Sequence, residues 1–237
     1  EIPRILKAAA KAGARFAGAR RFAKYLVLDW NNGWSLLAHF KLSGSLLYVK
    51  ESAEPKYAYV VFHLDNGHKL CFCEPRTLGF IEPVKTASIP EIPSLKKLGI
   101  EPLTKAFTFA KFKAALNRKA KIKPLIMDQT VFSGIGNIYA CEALFIAGIK
   151  PDRPANTVKE VAAKKLYNAV NKVIKTAIEH RGSSIDDYVD ASGEQGDNVR
   201  FLKVYDREGK KCVRCPGTVK WEKLGGRGTY WCPKCQK

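Results

Sequence analysis

The amino-acid sequence predicts an α+β protein with a mostly β first half, a helical second half and a small four-cysteine unit at the end. Three observations predict this class: β-branched and aromatic runs joined by Asn-Gly turns, a long helical period, and paired Cys-x2-Cys motifs. The 237 residues are 46% hydrophobic and 27% charged, which is typical of a globular protein and excludes disorder as the dominant state. We expect two domains of ordinary size followed by the small unit.

The first half shows strand periodicity after a cationic entry segment. Residues 5–24 are Ala-rich and predict a helix that breaks at two glycines. Pairs of β-branched and aromatic runs then flank turns at 31–33 (Asn-Asn-Gly) and 65–67 (Asp-Asn-Gly). These strand runs are residues 25–30, 34–42, 56–64 and 69–73. The two hairpins predict one sheet packed on another, and we assign residues 1–88 to a β-sandwich domain.

A connector separates this half from a helical second half. Residues 83–102 are rich in Pro, Ser and Lys without a sustained period, so we place a linker at 89–103 and a helical domain at 104–199. The clearest helix starts at the capping box Thr157-x-x-Glu160 and stops at Gly182. Its apolar side chains recur every three or four residues, at Val158, Val161, Ala162, Leu166, Ala169, Val170, Val173, Ile174, Ala177 and Ile178.

The last segment, residues 200–237, contains four of the seven cysteines and predicts a zinc finger. Cys212-x2-Cys215 and Cys232-x2-Cys235 place two thiolate pairs on two tight turns, as tetrahedral Zn²⁺ requires at Zn–S distances of about 2.3 Å. Four unrelated thiols or two disulfides are the alternatives. The residues between the pairs predict a β-hairpin with Gly225-Gly226-Arg227-Gly228 at its tip. Arg227 is then either aimed by the hairpin or an ordinary solvated turn residue.

The charge balance indicates a polyanionic partner. The chain has 41 Lys plus Arg against 22 Asp plus Glu, a formal net charge of +19, and nucleic acid is the first partner to test. No apolar run approaches the roughly 18 residues of a membrane span and no secretory pattern is present, so we expect a cytoplasmic protein without membrane contact. No Walker loop, dinucleotide fingerprint or Ser-His-Asp set is apparent in the sequence. Nucleotide hydrolysis is therefore not supported. Cys71, Cys73 and Cys141 are expected to be small buried side chains.

The glycine motif Gly134-Ile135-Gly136-Asn137 lies where two helices are predicted to meet. Glycines let a backbone approach a phosphate closely, and a following helix N-terminus offers free N–H groups. Asn137 adds a further donor. The motif by itself is weak, and a plain helix–helix turn is the alternative.

Several motifs follow one another in a distinctive order: Lys24-Tyr25-Leu26, His39-x-x-Leu42-Ser43-Gly44-Ser45-Leu46, Glu74-Pro75-Arg76, Ile122-Lys123-Pro124-Leu125-x-Met127-Asp128-Gln129, Gly134-x-Gly136-Asn137-Ile138-Tyr139-x-x-Glu142-Ala143-Leu144-Phe145, and the four-cysteine hairpin. In this order they resemble the bacterial formamidopyrimidine-DNA glycosylases. The resemblance covers essentially the whole chain from Arg20 onward. Residues 182–191 resemble the segment that forms the damaged-base loop in this branch of the family.

The resemblance implies a β-sandwich domain, a helical domain with a helix-two-turns-helix element, and a zinc finger with one structural Zn²⁺. It also implies base excision repair by a monomer acting on duplex DNA that contains an oxidised purine, such as 8-oxoguanine, a ring-opened purine or an abasic site. The damaged base is flipped out, at a cost of a few kcal/mol, and its glycosidic bond is cut through an imine. Successive β- and δ-eliminations then nick the strand.

The resemblance further implies roles for individual residues. Lys24 matches the lysine that contacts phosphate beside the lesion and assists β-elimination, although alone it would be read as a solvated side chain. Arg227 matches the zinc-finger arginine linked to δ-elimination. DNA contacts are implied for Lys24, Tyr57, Arg76, Arg118, Lys123, Asn137 and Arg227, with Tyr57 at a position where histidine is common. Phosphate contacts fix the position of a protein on DNA without reading sequence.

Three residues match the set that fills the void left by the flipped base. Arg76 corresponds to the polar reader of the orphaned base. Leu42 and Leu78 stand where the family more often has Met and an aromatic residue, and leucines can still wedge between base steps. Burial of both leucines in the core is the alternative.

The family's catalytic nucleophile, a mature N-terminal proline followed by glutamate, has no match at the corresponding position. We expect that a few tens of N-terminal residues are missing, with residues 3–18 matching the helix before the Lys24 strand. Alternatively, Glu1 is the family glutamate after removal of a single proline. The competing functions are therefore a catalytically silent damaged-DNA-binding protein and, on charge and cysteines alone, a zinc-ribbon RNA-binding protein.

Overall fold

The computed structural model describes residues 13–185 and 189–237. Glu1, Pro3 and the first part of the Ala-rich segment lie outside the described residues, as do Asp187 and Tyr188 of the predicted damaged-base loop. The described chain is of the predicted α+β class, with strands in its first half, helices in its second half and a terminal hairpin.

The described residues divide into two compact units. The first, called the β unit here, runs up to Lys96 and includes Arg181–Val199. The second, called the helical unit here, comprises Lys97–His180 and Arg200–Lys237, so that the four-cysteine segment belongs to it. Each unit contains its own buried apolar cluster.

Within residues 13–185 and 189–237, nine strands form three antiparallel sheets. The strands are β1 (Phe16–Phe22), β2 (Tyr25–Trp30), β3 (Trp34–His39), β4 (Ser45–Lys50), β5 (Ala58–His63), β6 (His68–Cys73), β7 (Phe80–Lys85), β8 (Lys220–Leu224) and β9 (Arg227–Trp231). The β unit holds a four-stranded sheet in the order β1-β2-β3-β7 and a three-stranded sheet in the order β4-β6-β5. Both predicted hairpins, β2-β3 and β5-β6, are confirmed.

The helix predicted within residues 5–24 is wrong from Phe16 onward, because these residues begin β1. Cross-strand partners on β2 outweigh the helix propensity of Ala and Arg. The Phe16 ring packs edge-on against Trp30 at a centroid distance of 5.9 Å, and Arg20 donates to both carboxylate oxygens of Asp29 at 2.6 and 2.8 Å. Helix propensities differ by only about 0.7 kcal/mol per residue or less, so such pairing can decide the conformation.

Contacts at the end of β3 join the two sheets of the β unit. Phe40, which follows β3, stacks on Phe72 of β6 at a centroid distance of 6.2 Å. The segment Arg181–Val199 adds to the second sheet, since the Tyr48 N–H of β4 donates to the Ala191 carbonyl at 2.8 Å. The sheet-on-sheet arrangement predicted from the strand pattern is therefore present.

The proposed connector is partly regular structure. Pro83 lies within β7, and a 3-10 helix at Thr86–Glu91 and a short helix α1 (Pro93–Lys96) follow. Ile89 is 1% exposed and packs with Val27 and Leu37 of the first sheet. Because proline interrupts any sustained period, the sequence pattern did not reveal that this segment packs on the β unit.

The helical unit contains four further helices around one core. They are α2 (Phe109–Ala115), α3 (Ile122–Met127), α4 (Asn137–Ala147) and α5 (Glu160–Glu179). An aromatic cluster lies at the centre, where Phe107, Phe112 and Phe132 pack at centroid distances of 5.0–6.0 Å and Tyr167 stacks on Phe107. Among the described residues, no helix combines the length and apolar character that a membrane span requires.

The predicted long helix is confirmed as α5, but the prediction that Thr157 and Glu160 form its capping box is wrong. The N-cap is Lys159, and Thr157 lies in a separate 3-10 helix where its hydroxyl donates to the Pro154 carbonyl at 2.8 Å. The buried face of α5 consists of Ala163, Leu166, Ala169, Val170, Val173 and Ala177. Val161 and Ile178, predicted on that face, are 70% and 66% exposed.

The terminal hairpin turns earlier than predicted. β8 pairs with β9 through a two-residue turn at Gly225 and Gly226, so that Arg227 is the first residue of β9 and faces Leu224. Both glycines have positive φ values, 59° and 76°, as a type I′ turn requires. The tip of the hairpin is therefore two glycines, and Arg227 is placed by strand pairing.

Candidate functional site

The four C-terminal cysteines form a compact thiol cluster. The Sγ atoms of Cys212, Cys215, Cys232 and Cys235 all lie within 4.8 Å of one another. Two of the separations are 3.8 Å (Cys212 to Cys235) and 3.6 Å (Cys215 to Cys232), too long for disulfides. A tetrahedron with Zn–S bonds of about 2.3 Å requires S···S separations of about 3.8 Å, so the four side chains fit a zinc ion.

Backbone N–H groups support this cluster in the way that zinc knuckles do. The N–H groups of Arg214 and Gly217 donate to the Sγ atoms of Cys212 and Cys215, each at 3.4 Å. Burial alone would raise the pKa of Cys212, but these and neighbouring donors outweigh it and lower that pKa to about 7. At Cys212 these donors therefore favour the thiolate, the form that ligates metal. The remaining cysteines, Cys71, Cys73 and Cys141, are buried as predicted.

Helix α4 holds the cysteine segment in place. The Glu142 carboxylate, 3% exposed, accepts hydrogen bonds from the N–H groups of Lys203, Val204 and Tyr205 at 2.8–2.9 Å. At the other end, the Gln236 side-chain amide donates to the Ile149 carbonyl at 2.9 Å. Glu142 was part of the sequence motif but had no predicted role. An acid inside an otherwise apolar helix was the available signal.

The side chains of Lys123 and Asn137 both donate hydrogen bonds to one carbonyl of the β8-β9 hairpin. The Lys123 ammonium donates to Asn137 Oδ1 at 2.6 Å, to Thr229 Oγ1 at 2.9 Å and to the Gly228 carbonyl at 3.4 Å. Asn137 Nδ2 donates to the same Gly228 carbonyl at 3.0 Å. Lys123 is 1% exposed and its three N–H bonds are all used, so this geometry supports a hairpin-positioning role rather than a phosphate contact for Lys123.

Arg227 is exposed and immediately precedes the carbonyl that Lys123 and Asn137 bind. The turn before it packs on α3, since a Cβ added at Gly225 would lie 3.1 Å from the Pro124 ring. Burial lowers the pKa of Lys123, and the positive charge of Arg227 acts in the same direction. The backbone around Arg227 is thus held from both sides while its guanidinium faces solvent.

The side chain of one glutamine, Gln129, holds the glycine turn before α4 by hydrogen bonds. Gln129 Oε1 accepts from the Gly134 N–H at 2.9 Å, and Gln129 Nε2 donates to the carbonyls of Met127 and Ile135 at 2.8 and 2.9 Å. The predicted meeting of two helices is confirmed, with α3 before the turn and α4 starting at Asn137. Sequence reasoning assigned no role to Gln129. Arg118 is exposed in the loop between α2 and α3.

Lys24 lies in the two-residue turn between β1 and β2, beside a cavity of about 350 Å³. Tyr25 and His39 also line the cavity, and their rings pack edge-on at 4.7 Å. His39 Nδ1 accepts from the Lys41 N–H at 3.0 Å. Burial, followed by the charges of Lys41 and Lys24, lowers the pKa of His39 to about 4, so the imidazole is neutral at pH 7. His39 belongs to one of the sequence motifs, but the sequence predicted no role for it.

The predicted void-filling residues lie on exposed loops of the β unit. Leu42 is 56% exposed and Leu78 is 50% exposed, which excludes burial of either in the core. Arg76 is also exposed, and Tyr57, which precedes β5, is 62% exposed. Large apolar side chains in such positions are available for contact with another molecule.

Comparisons with known proteins match this architecture segment by segment. The formamidopyrimidine-DNA glycosylase N-terminal domain matches residues 3–81, the formamidopyrimidine-DNA glycosylase H2TH domain matches 98–189, and a zinc finger found in FPG and IleRS matches 209–237. A formamidopyrimidine-DNA glycosylase of Pelotomaculum thermopropionicum is 41% identical over 219 residues, covering 92% of this chain and 79% of that protein. The Heliobacterium modesticaldum protein of the same name is 36% identical over 241 residues, covering 100% of this chain and 87% of its own.

Solved structures agree with the sequence relatives. The MutM (Fpg) protein of Thermus thermophilus superposes with a TM-score of 0.87 at 36% identity, covering 96% of this chain and 85% of its own. The Lactococcus lactis Fpg in complex with abasic-site DNA superposes with a TM-score of 0.88 at 30% identity, covering 95% and 83%.

The fold and the site together define a two-unit α+β protein with a four-cysteine zinc finger anchored to a helical core. On the sequence and structural matches above, the chain belongs to the formamidopyrimidine-DNA glycosylase family.

Proposed function

We propose that this protein is a base excision repair DNA glycosylase that removes oxidised or ring-opened purines from duplex DNA and then nicks the abasic strand. It acts as a monomer with one structural Zn²⁺ held by the four C-terminal cysteines. Family membership supports this proposal, as does the formal net charge of +19, which favours a polyanionic substrate.

The single observation that carries the proposal is the anchored position of Arg227. An exposed guanidinium precedes a carbonyl that two side chains of the helical core hold in place. A planar guanidinium on a fixed backbone suits bidentate binding of a phosphate. In this role Arg227 grips the phosphate beside the lesion and assists δ-elimination.

Other residues of the helical unit add to the DNA contact. Asn137 is the first residue of α4, whose N-terminal N–H groups and dipole favour a phosphate nearby. Arg118 lies exposed in the loop before α3 and supplies a further cation. Lys123 contributes indirectly by holding the hairpin.

The β unit supplies the residues that act at the lesion. Lys24, at the turn beside the His39 cavity, contacts a phosphate and assists β-elimination. Leu42, Arg76 and Leu78 fill the space left by the extruded nucleotide, and Tyr57 contacts the strand next to them. Extrusion costs a few kcal/mol, which apolar wedges and a bent duplex offset.

The proposed reaction cuts the glycosidic bond by imine formation. In the family, an N-terminal proline amine attacks the sugar C1′, the base leaves with the bonding electron pair, and an iminium links protein and sugar. Loss of a C2′ proton then expels the 3′ phosphate, and a second elimination expels the 5′ phosphate. This order predicts a covalent species that a hydride donor reduces to a stable amine.

Borohydride trapping tests the proposal. The natural gene product with its processed N-terminus is incubated with an 8-oxoguanine duplex, an abasic duplex and an undamaged duplex. We expect a trapped complex and strand scission on the first two only. Lesion-preferring affinity without trapping or scission by that gene product would indicate a silent binding protein instead.

A salt-matched binding comparison separates DNA from RNA. A protein that contacts about 6–10 phosphates loses roughly 10³–10⁵ in affinity between about 50 and 200 mM salt, so all affinities are measured at one ionic strength. We expect tighter binding to an abasic duplex than to single-stranded or folded RNA. The reverse order would contradict the proposed substrate class.

A further inference from the structure

The exposed residues proposed to enter the duplex are carried by three adjacent loops of the β unit. Residues 40–44 include Leu42, residues 75–79 include Arg76 and Leu78, and Tyr57 ends the loop before β5. Leu42, Leu78 and Tyr57 are each at least half exposed, so neighbouring side chains do not hold them by burial. The positions of these side chains must therefore be set by contacts that hold the loops themselves.

A single buried carboxylate ties two of these loops together. Glu74 is 1% exposed, and its Oε1 accepts from the Ser43 hydroxyl in the first loop and from the Arg76 N–H in the second, the latter at 3.1 Å. Its Oε2 accepts from the Gly79 N–H at 2.8 Å. Hydrogen bonds to a buried charged group are stronger than hydrogen bonds between neutral groups.

The third loop is tied to the same residue through the backbone. The Glu74 N–H donates to the Tyr57 carbonyl at 3.0 Å, immediately before β5 begins. One residue therefore contacts all three loops, with its side chain on two of them and its main chain on the third.

Two glycines allow the loops to close around this carboxylate. A Cβ added at Gly79 would lie 2.4 Å from Glu74 Oε2 and 2.9 Å from the His39 carbonyl. A Cβ added at Gly44 would lie 2.9 Å from the same Oε2 and 2.8 Å from the Phe40 carbonyl. Contacts this short do not occur for real Cβ atoms, so each loop needs glycine where it approaches Glu74.

The loops also contain strained backbone. Lys41, Tyr57 and Thr77 have φ values of 53°, 59° and 53°, in the left-handed region that residues with a Cβ rarely adopt. Tyr57 is itself a proposed DNA-contact residue. Lys41 directly precedes Leu42, and Thr77 lies between Arg76 and Leu78. Such conformations are unfavourable by themselves and persist only where the surrounding structure imposes them.

We propose that Glu74 is a positioning residue that sets the three loops in the geometry needed for Leu42, Arg76 and Leu78 to enter the duplex. This rests on the proposed function, since it names how that site is preorganised. Glu74 itself touches neither DNA nor the reacting atoms. The hydrogen bonds from Ser43, Arg76 and Gly79 keep the carboxylate ionised, because they outweigh the rise in pKa that burial alone would cause.

Glu74→Gln tests this role with little change of shape. The glutamine oxygen can accept on one side only, so its NH₂ group then faces an N–H donor or the Ser43 hydroxyl. Glu82→Gln is the matched control, because Glu82 is exposed on β7 and loses the same charge. Ser43→Ala is a milder second variant that removes one donor and keeps the carboxylate.

The readout is 2-aminopurine fluorescence in a duplex where this base adjoins a tetrahydrofuran abasic-site analogue, together with affinities for that duplex and an undamaged one. Wild-type protein and Glu82→Gln should raise the fluorescence as the wedge disrupts stacking. Glu74→Gln should lose most of the rise and about tenfold in the ratio of lesion to undamaged affinity. Its zinc content and its affinity for undamaged duplex should stay within about twofold, as expected for phosphate contacts made elsewhere.

Each outcome decides the proposal. An unchanged fluorescence rise and lesion preference in Glu74→Gln would overturn the positioning role while leaving the proposed function intact. No rise with wild-type protein would overturn both. If Glu74→Gln does not fold, Ser43→Ala should show a partial loss of the rise, and a full rise in that variant would overturn the role of Glu74.

Discussion

Asn137 and Gly228, 91 positions apart in sequence, are joined by a hydrogen bond of 3.0 Å from the Asn137 side-chain amide to the Gly228 carbonyl. Lys123 reaches the same carbonyl and also binds Thr229. These hydrogen bonds hold the first residues of β9 against the first residue of α4. The position of Arg227 depends on this link.

Lys123→Met should lower the free energy of unfolding by about 1–3 kcal/mol, because the partly buried Asn137 oxygen and the buried Thr229 hydroxyl lose their donor. DNA affinity should also fall, since Arg227 loses its support. Lys121→Ala is the control, because Lys121 is exposed two residues away. Denaturant unfolding and binding to an abasic duplex measure the two effects. Unchanged affinity in Lys123→Met would contradict the positioning role.

Arg227→Ala should weaken DNA binding and abolish the final elimination while zinc stays bound, because Arg227 is not a ligand. The slope of log affinity against log salt should fall by about 0.9, the value for one phosphate. Lys223→Ala removes an equal charge from the neighbouring strand of the same hairpin and should keep nicking activity. Nicking by Arg227→Ala at the wild-type rate would refute the assigned role.

Cys232→Ser should release the zinc and unfold the hairpin, because a structural Zn²⁺ supplies much of the folding free energy of such a unit. Metal analysis and the melting temperature report the change. Cys141→Ala is the matched control, because Cys141 is buried near the cluster and burial raises its pKa to about 11, which keeps it a thiol. A full zinc content in Cys232→Ser would show that the ligand set is incorrect.

His39 should make the protein less stable as the pH falls from about 6.5 to about 4. The unfolded state binds a proton at His39 below its ordinary pKa of about 6.5, whereas the folded state resists that proton until about pH 4. His39→Gln should therefore show a flatter loss of stability over this range. His63→Gln, an exposed histidine on β5, serves as control. Parallel pH curves for wild type and His39→Gln would contradict this prediction.

Several elements were predictable because their signals are local. Asn-Gly turns identified both hairpins of the β unit, and spacing identified the four cysteines that cluster in the folded chain. The glycine turn before α4 was located from its own residues. Local rules failed where partners distant in sequence intervene, as when pairing with β2 converts the Ala-rich segment after Phe16 into β1.

The amino-acid sequence by itself determined the α+β order, the family and the four-cysteine zinc finger, because each depends on residue types at short, fixed spacings. Only the tertiary structure decided that Lys123 is buried under the hairpin and that Glu74 joins three loops. These roles depend on hydrogen bonds between residues as far as 106 positions apart, such as Lys123 and Thr229. Sequence spacing carries no information about which distant donor and acceptor will meet once the chain has folded.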